Sequence, residues 1–497
     1  MKIAVIGSGF GGLASAIRLQ NKGYETIILE KSDKTGGRAY VFENNGFKFD
    51  AGPTVITAPW LITELFELCG RKPTDYINLV KLDPFYRLYL DNGKYFNYNG
   101  LKENVIEQIS KFNKSDIEGY YDFISVTEKI FNKGFSLIDK PFNKISNLIA
   151  IVPSLLSLKA YKSVYKLVSH YIKDEDLRKF FTFHTLLIGG NPFTTTSIYT
   201  LIHHLEQKWG VWYCMGGTGT LVKSLTKLYQ EIGGKLYTNN EVTDIFINSF
   251  AGKPNINALK CKNGNIYDAE VVICNSDVGY TYKYLIENKF RKKFTDKKID
   301  KFKYSMSLFV IYFGTKCRYD NIPHHSIIFG KTYKELLNKI FCSYELSEDF
   351  SLYLHRPTAT DKTVAPQGCD NFYVLSPVPN QLSKINWKQE GETYKNRIMD
   401  FLEDRYLPEL RRNLITEFYI TPDYFEKNLN SYLGSAFSIE PTLLQSAYMR
   451  PHNLSEDIEN LFLVGAGTHP GAGLPGVISS AKIAEKLIEE KYPLKNQ

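Results

Sequence analysis

The 497-residue chain lacks the features that mark several classes of protein. Its seven cysteines are scattered, odd in number and without a CxxC pair, which argues against a disulfide framework and favours a reducing compartment. Because zinc-finger spacings and long lysine or arginine blocks are missing, we expect no nucleic-acid partner despite a net charge of +8. No uninterrupted apolar run reaches the roughly 18 residues that a spanning helix needs. No signal peptide is expected, because residues 2–6 already resemble a strand of the fold.

The remaining composition is that of a globular protein with a sizeable core, with 43% hydrophobic and 23% charged residues. The length predicts about three domain-sized units. The aromatic share of 14% is high, and either a large core or an apolar ligand cavity would account for it.

The first glycine-rich turn predicts a dinucleotide site. Residues 2–6 form a short apolar run, GSGFGG follows at once, and a helical pattern comes next. Gly7 permits the tight turn, Gly9 lets a diphosphate approach the backbone, and Gly12 lets helix and strand pack closely. The free N–H groups and the positive dipole end of that helix favour a diphosphate.

The residues after this turn favour FAD among the dinucleotides. Glu30 follows a second predicted strand at the distance of an acid that binds a ribose 2′-hydroxyl, which disfavours NADP and leaves FAD and NAD. Two further loops follow, a diglycine with a cation in residues 31–38 and the segment 46–54. Such loops suit a cofactor that stretches across the sheet, although each loop alone could be a surface turn.

A second glycine-rich turn lies near the C-terminus. Residues 461–464 form a short apolar strand, GAGTHPGAGLPG follows, and a helix is predicted from Val477 to Glu490. The small residues 479–481 would let the first turn of this helix pack closely under a flat ring. The backbone N–H groups of that turn would then lie beside the N1–C2 region of a flavin. We therefore predict that both turns hold one extended FAD, on a sheet completed by strands at 235–244 and 271–277.

These stretches resemble the bacterial-type phytoene desaturases, a group of FAD-dependent carotenoid desaturases. The resemblance covers almost the whole chain and includes GFGGLASAIRLQ (9–20), GGRAYVFE (36–43), FDAGPTVIT (49–57), GGNPFTTTSIYTLIH (189–203), GVWYCMGGTGTLV (210–222) and GAGTHPGAGLPGVI (465–478). It implies dehydrogenation of phytoene to more unsaturated carotenes, commonly ending at lycopene. By motif position it also implies FAD contacts at Gly7, Gly9, Gly12, Glu30, Lys31, Gly37, Arg38, Thr54, Val242, Asp277, Gly465, Ala466, Gly467, Gly473, Gly476 and Val477.

The resemblance also implies the fold class and the domains. The fold is α/β, with a Rossmann-like FAD-binding domain of the amine-oxidase type, a mixed-sheet substrate domain and a helical membrane-apposed part. We expect the FAD-binding domain to be discontinuous, formed by residues 1–85, 210–285 and 430–497. Residues 86–125 and 286–429 would form the substrate domain, and residues 126–209 the helical region.

The expected reaction needs little acid–base machinery from the protein. Desaturation removes a hydride from one allylic carbon and a proton from its neighbour, and flavin N5 is a competent hydride acceptor. The sequence shows no metal-ligand cluster, so no metal is expected. The proton acceptor is unassigned; His355, Glu440 and His469 lie near family motifs, but each is also explained as a structural residue.

A carotene substrate predicts a peripheral membrane protein at the cytoplasmic face of the cell membrane. At about 0.8 kcal/mol per buried CH₂, a C40 hydrocarbon would lose on the order of 30 kcal/mol on entering water, so the substrate has to come from a bilayer. Residues 144–166, KISNLIAIVPSLLSLKAYKSVYK, combine an apolar face with flanking lysines, as suits an anionic interface. We expect Pro153 to break this run into two short helices. Two ordinary amphipathic helices over a core would give the same pattern.

Several alternatives share these motifs. A diapophytoene desaturase for a C30 substrate, a carotene isomerase, a carotene oxygenase and an amine oxidase would have the same fold. A prenyl-binding escort protein would share the first glycine turn without redox work. No NADPH site is evident, so quinone or oxygen is the expected electron acceptor. A homo-oligomer is compatible with the sequence.

Overall fold

The computed structural model describes residues 1–249 and 252–494, apart from the side chains at positions 147, 148 and 150. The predicted docking residue Leu148 therefore lies outside the described side chains. The strands are β1 (Lys2–Ile6), β2 (Glu25–Leu29), β3 (Val41–Asn44), β4 (Phe47–Asp50), β5 (Leu79–Lys81), β6 (Tyr86–Tyr89), β7 (Tyr95–Tyr98), β8 (Trp212–Cys214), β9 (Lys235–Tyr237), β10 (Val242–Asn248), β11 (Asn255–Cys261), β12 (Ile266–Asp268), β13 (Val271–Cys274), β14 (Ser307–Thr315), β15 (His325–Ile328), β16 (Leu352–His355), β17 (Asp370–Val378), β18 (Leu414–Ile420) and β19 (Leu461–Leu463).

The helices complete the layers around these strands. They are α1 (Phe10–Asn21), α2 (Trp60–Glu67), α3 (Lys102–Phe112), α4 (Asp116–Phe135), α5 (Ile145–Ser157), α6 (Val164–Tyr171), α7 (Glu175–Phe180), α8 (Leu201–Trp209), α9 (Thr218–Glu231), α10 (Val278–Tyr280), α11 (Asp296–Lys301), α12 (Tyr333–Asn338), α13 (Trp387–Arg405), α14 (Leu410–Asn413), α15 (Pro422–Lys427) and α16 (Leu474–Lys491). Within the described residues, no helix is long and apolar enough to cross a membrane.

A five-stranded parallel sheet draws its strands from both ends of the chain, in the order β19-β13-β1-β2-β9. Helix α1 follows β1 and helix α16 follows the loop after β19, and these two helices pack against each other. The predicted strands at 271–277 and at the start of 235–244 do join this sheet. The expectation was wrong for Val242 onward, which starts a separate sheet, β10-β11-β12. Asn239 has a φ of 54° and turns the chain out of the first sheet after Tyr237.

A seven-stranded mixed sheet, in the order β18-β14-β17-β16-β15-β6-β7, stands opposite. Its pairs are antiparallel except for β15 with β6. Every residue of its long strand β14 is buried, and alternate side chains point to opposite faces. Leu308, Val310 and Tyr312 pack into one core, and Phe309 with Ile311 into another. The α/β class with a parallel and a mixed sheet is the predicted one.

The segment predicted to dock on a membrane is interrupted at residues 158–163 and not at Pro153. Helix α5 runs through Pro153, and α6 begins only after the turn at 158–163. Proline lacks an N–H group and so removes one i to i−4 bond, which here interrupts the ladder without ending the thirteen-residue helix. The expected break at Pro153 was therefore wrong.

Candidate cofactor and substrate cavity

A cavity of about 540 Å³ lies between the parallel sheet, the mixed sheet and helices α4, α5 and α8. Both glycine loops form one end of it. Aliphatic and aromatic side chains from the mixed sheet and the helices form the other end. A concave site that combines a few polar groups with a long apolar wall suits a small-molecule ligand. Of the predicted FAD residues, all except Gly12 line this cavity.

Gly7, Gly9 and Gly12 build the first turn in different ways. Gly7 has a φ of +89°, which a residue with a side chain rarely adopts, and a Cβ at Gly9 would lie 2.8 Å from Asn275 Nδ2. A Cβ at Gly12 would lie only 2.0 Å from the carbonyl oxygen of Gly7. Gly12 therefore permits close packing of α1 on β1, as expected; it is buried and does not line the cavity, and its contact with a cofactor stays a prediction.

Glu30 fixes this turn and also faces the cavity. Its Oε2 accepts hydrogen bonds from the backbone N–H of Ser8 at 2.8 Å and from the Ser8 hydroxyl at 2.6 Å. Its Oε1 accepts one from the Ser32 N–H at 2.9 Å. The acid predicted to bind a ribose is thus held in place at the end of β2, 5% exposed.

Lys31 and Arg38, the two cations after Glu30, differ in how many of their hydrogen-bond donors find partners within the protein. The Lys31 ammonium donates to Asn430 Oδ1 at 2.6 Å and lies 3.2 Å from Glu241. Arg38 donates from Nη2 to the Ser431 hydroxyl at 2.7 Å, but its buried Nε has no partner among the described residues. Burial lowers the pKa of Arg38. Arg38 is therefore the better placed of the two to bind a polar ligand.

Asp277 offers a second unsatisfied polar atom at the same end of the cavity. Its Oδ1 accepts from the N–H groups of Gly279 and Tyr280, at 3.0 and 3.3 Å. Its Oδ2 is buried without a hydrogen-bond partner in the described chain and lies 3.9 Å from Arg38 Nη2. Because buried polar atoms are normally hydrogen-bonded, these atoms mark a place where a ligand supplies the missing partners.

The C-terminal loop closes over this end of the cavity. Gly465 and Gly473 have φ values of 100° and 94°, and a Cβ at Gly476 would lie 2.5 Å from the carbonyl oxygen of Gly471. Helix α16 begins at Leu474, three residues before the predicted Val477. The small residues at 479–481 consequently lie in its second turn, not in the first turn as expected.

Thr54 connects the cavity wall to a buried polar cluster. Its hydroxyl is hydrogen-bonded to the hydroxyls of Tyr353 at 2.9 Å and Tyr373 at 2.6 Å. The Tyr353 hydroxyl is also 2.8 Å from His325 Nδ1, which lies 3.3 Å from His355 Nδ1. Thr54 therefore orients two tyrosines that line the cavity.

The histidine cluster behind this wall was not predicted. His325 and His355 face each other across β15 and β16, and His324 stands beside them. One ligand atom of each lies within 4.8 Å of the others, a spacing that a metal ion would need. Burial keeps the pKa of each ring well below its usual range, so all three are neutral. The three rings do not line the cavity.

The weak candidates for proton acceptor are thus separated by the fold. His355 belongs to the cluster behind the wall. Glu440, whose pKa is raised by burial, accepts a hydrogen bond from the Thr194 hydroxyl at 2.8 Å and also lies off the cavity. His469 does line the cavity, and burial lowers its pKa to about 3.

Asp50 and Glu206 were not predicted, and both line the cavity. Asp50 accepts from the N–H groups of Thr218 at 3.0 Å and Gly219 at 3.2 Å, and burial raises its pKa to about 6. Glu206 on α8 accepts from the Tyr86 hydroxyl at 2.8 Å, and burial raises its pKa to about 7. An acid directly after the apolar pattern of residues 198–205 was the only sequence signal for Glu206, and it did not distinguish a buried acid from an exposed one.

The residues present fit FAD. The glycine turn before α1 gives a diphosphate close access to backbone N–H groups, and the acid at Glu30 suits a ribose. The unsatisfied atoms of Arg38 and Asp277 continue the polar path toward the C-terminal loop. These residues would hold the cofactor along one side of the cavity and leave the apolar side open to a second ligand.

Comparisons with known proteins agree with this geometry. The sequence pattern of the family described as flavin containing amine oxidoreductase matches residues 10–484. A lycopene-forming phytoene desaturase of Pseudescherichia vulneris is 47% identical over 98% of this chain and 99% of the relative. One of Pantoea ananas is also 47% identical, over 98% of both chains. A 4,4′-diapophytoene desaturase of a Methylomonas species is 32% identical over 99% of this chain and 95% of the relative.

Solved structures share the fold at low identity. A redesigned putrescine oxidase superposes with a TM-score of 0.67 at 10% identity, over 99% of both chains. The similarity supports the fold class alone. The family pattern and the full-length relatives show that the chain belongs to the bacterial phytoene desaturases, within the flavin-containing amine oxidoreductases, and is an FAD-dependent oxidoreductase.

Proposed function

We propose that this chain desaturates phytoene to more unsaturated carotenes such as lycopene, in carotenoid biosynthesis. The observation that carries the proposal is the continuity of one cavity, polar where both glycine loops meet and apolar beyond them. Bound FAD supplies a hydride acceptor at N5. A hydrocarbon has no polar group for the protein to grip, so shape and exclusion of water have to position it.

The apolar wall suits such a substrate. Leu308 and Val310 of β14, Ile327 of β15 and Leu375 of β17 line it, and the facing wall includes Leu205 of α8. Side chains of this kind bind a hydrocarbon chain through the hydrophobic effect. The gain is about 25 cal/mol for each Å² of apolar surface that is removed from water. These side chains also keep water from the reacting carbons.

Helix α5 supports a path between this cavity and a bilayer. Ile151 and Leu155 of this helix, and Leu158 directly after its last residue, line the cavity. On another face, Ile149 is 65% exposed and Leu156 is 60% exposed. One helix thus has an apolar face toward the cavity and an apolar face toward the outside, which an ordinary surface helix over a core does not need.

The neighbouring surface extends this apolar patch. The turn at 447–449 packs against α5, and Leu444 beside it is 74% exposed. Lys144, directly before α5, and Lys166, on α6, are exposed to solvent. We define the docking patch as the exposed side chains of α5 with Leu443, Leu444 and Met449. Apolar side chains beside cations favour the anionic cytoplasmic face of a membrane, which we propose as the location of the protein.

The alternatives predict different products. A C30 desaturase would prefer diapophytoene, an isomerase would leave the number of double bonds unchanged, and an oxygenase would add oxygen. The escort alternative is disfavoured, because the chain belongs to a family of oxidoreductases and has polar groups arranged for a dinucleotide.

The function is tested by expression in cells that accumulate phytoene, followed by chromatography of the pigments. We expect coloured carotenes with added conjugated double bonds and little remaining phytoene. Unchanged phytoene in cells that contain flavin-loaded protein would contradict the proposal. Parallel cells that accumulate diapophytoene test the C30 alternative. We propose quinone or oxygen as the electron acceptor, and turnover of purified protein with quinone under anaerobic conditions distinguishes the two.

A further inference from the structure

Glu206 is an acid on an otherwise apolar wall. It lies on α8 next to Leu205 and one turn after Ile202, and all three residues line the cavity. Its side chain is 1% exposed, so neither bulk water nor a surface cation solvates the carboxyl group. A buried charge of this kind is costly, which makes a purely structural acid an unfavourable choice at this position.

The groups around Glu206 orient the carboxyl group without neutralising it. Tyr86 donates to Oε1 at 2.8 Å, and His184 Nε2 lies 2.9 Å from Oε2. The titratable groups that face it are the side chains of Tyr86, Tyr98, His184 and His203. Burial raises the pKa of both tyrosines and lowers that of both histidines to about 3, so all four are neutral near pH 7.

The state of His184 is informative. Its Nδ1 is buried without a partner among the described residues. If Nε2 carries the proton and donates it to a Glu206 carboxylate, the bare Nδ1 leaves only a lone pair unsatisfied. If Glu206 is protonated and donates to Nε2, the orphaned Nδ1 has to carry a proton without an acceptor, which is the costlier arrangement. The contact with His184 therefore favours the ionised carboxylate of Glu206 before the reaction, while burial in the cavity wall keeps that carboxylate basic.

The other carboxyl groups of the cavity are committed elsewhere. Glu30 holds Ser8, Glu241 pairs with Lys31, and Asp277 caps the turn at 279–280, all at the dinucleotide end. Asp50 is bound by two backbone N–H groups at the start of α9. Its oxygens face that helix end, and a Cβ at Gly217 would lie 2.6 Å from Oδ2.

We propose that Glu206 is the catalytic base that removes the proton during carotene desaturation, an inference that rests on the proposed function. As the hydride leaves one allylic carbon with its electron pair for FAD, the Glu206 carboxylate takes the proton from the adjacent carbon. The electron pair of that second C–H bond becomes the new C=C bond, and Glu206 becomes a carboxylic acid. The carboxylate is restored when the proton passes to water after the product leaves.

The acidity of Glu206 agrees with this role. Its pKa of about 7 makes the ionised form available at neutral pH and leaves the carboxylate a stronger base than an exposed glutamate. His469, with a pKa of about 3, would be a far weaker acceptor in the same cavity.

The test compares purified, flavin-loaded wild-type protein with Glu206→Gln, on phytoene in liposomes. We expect kcat to fall about 100-fold or more, with flavin content unchanged and KM changed by less than about threefold. Glu206→Asp should restore part of the loss. Glu440→Gln is the matched control, since Glu440 is also a buried acid with a raised pKa but lies off the cavity, and it should keep its kcat.

Infrared titration in the absence of substrate gives a second readout. The C=O band of a protonated carboxyl group should titrate near pH 7 in the wild type and be missing in Glu206→Gln. An active wild type with an equally active Glu206→Gln would overturn the inference and leave the proposed function intact. A larger loss of kcat in Asp50→Asn than in Glu206→Gln would also overturn it. If Glu206→Gln fails to fold, the wild type alone decides: absence of a carboxyl band that titrates near pH 7 would overturn the inference.

Discussion

Arg18 Nη1 lies 3.1 Å from Glu485 Oε2, although 467 positions separate the two residues. Arg18 is on α1, the helix that follows the first glycine turn. Glu485 is on α16, the helix that follows the second. Both side chains are almost fully buried. The ion pair therefore holds together the two helices whose N-terminal loops face the same cavity.

Removal of this cation should destabilise the whole protein. Arg18→Leu leaves the buried Glu485 without its partner and removes one of the two cations beside Glu64. Loss of one member of a buried pair costs about 3–5 kcal/mol, because the other charge remains buried. Urea unfolding measures the change. Lys22→Ala removes the exposed pair between Lys22, directly after α1, and Glu489 of α16, and it should cost less than about 1 kcal/mol. Equal effects of the two substitutions would contradict the role given to Arg18.

Gly12→Ala should reduce flavin binding through packing rather than through lost contact. The added Cβ would lie 2.0 Å from the carbonyl oxygen of Gly7. Because that oxygen belongs to the backbone, the clash is relieved only if the whole helix α1 shifts. We expect the variant to lose both bound flavin and stability. Flavin absorbance measures the first and thermal unfolding the second. Gly264→Ala is the control, since a Cβ there meets nothing within 4 Å and the site is a distant turn. It should lower stability through its positive φ and leave flavin content unchanged. Full flavin occupancy in Gly12→Ala would show that the packing argument fails.

Charge on the docking patch should weaken membrane association. The double substitution Ile149→Glu with Leu156→Glu places two carboxylates on the exposed face of α5, where an anionic bilayer would repel them. We expect at least a tenfold fall in the fraction that cosediments with anionic liposomes, at unchanged flavin content. Ile266→Glu is matched in exposure, 58%, but lies on β12, far along the chain from the patch. If both proteins sediment alike, the patch is not the membrane contact.

The stability of Glu206→Gln relative to wild type should rise with pH. Glu206 has a pKa of about 7 when folded, above its ordinary value of 4.5, so the folded state disfavours the carboxylate. The destabilisation of the wild type by the buried carboxylate is absent below the pKa of Glu206 in the unfolded chain. It grows as pH rises and is complete above about pH 7. At 1.36 kcal/mol per pKa unit, the difference between variant and wild type should grow by about 2 kcal/mol from pH 5 to pH 8. Urea unfolding at both values measures it. A variant that becomes less stable with rising pH would show that the ionised carboxylate is needed structurally.

Local patterns allowed much of the fold to be predicted, together with the glycine loops that line one end of the cavity. The turn at Gly7, the strands that flank it and the C-terminal loop depend on neighbouring residues, so the sequence shows them directly. Val242 was assigned to the wrong sheet because a single positive φ at Asn239 redirects the chain, and asparagine adopts that conformation only in some contexts.

The residues brought together across long separations could not be predicted. Glu206 contacts Tyr86 at a separation of 120 positions and His184 at 22. Thr54 meets Tyr353 across 299 positions. Nothing in the local pattern around Glu206 distinguishes an acid that faces a cavity from one that faces solvent. That difference arises when α8 packs against α4 and Glu206 meets Tyr86 of the mixed sheet, and it decides the pKa of the acid.

Anaerobic single turnover tests the central claim most directly. Flavin-loaded protein is mixed with phytoene in liposomes without any electron acceptor, and flavin absorbance and carotene absorbance are followed together. The account predicts that the oxidised flavin bleaches while one new conjugated double bond forms for each flavin reduced. A flavin that stays oxidised in the presence of phytoene, or a carotene product that forms without flavin reduction, would contradict it.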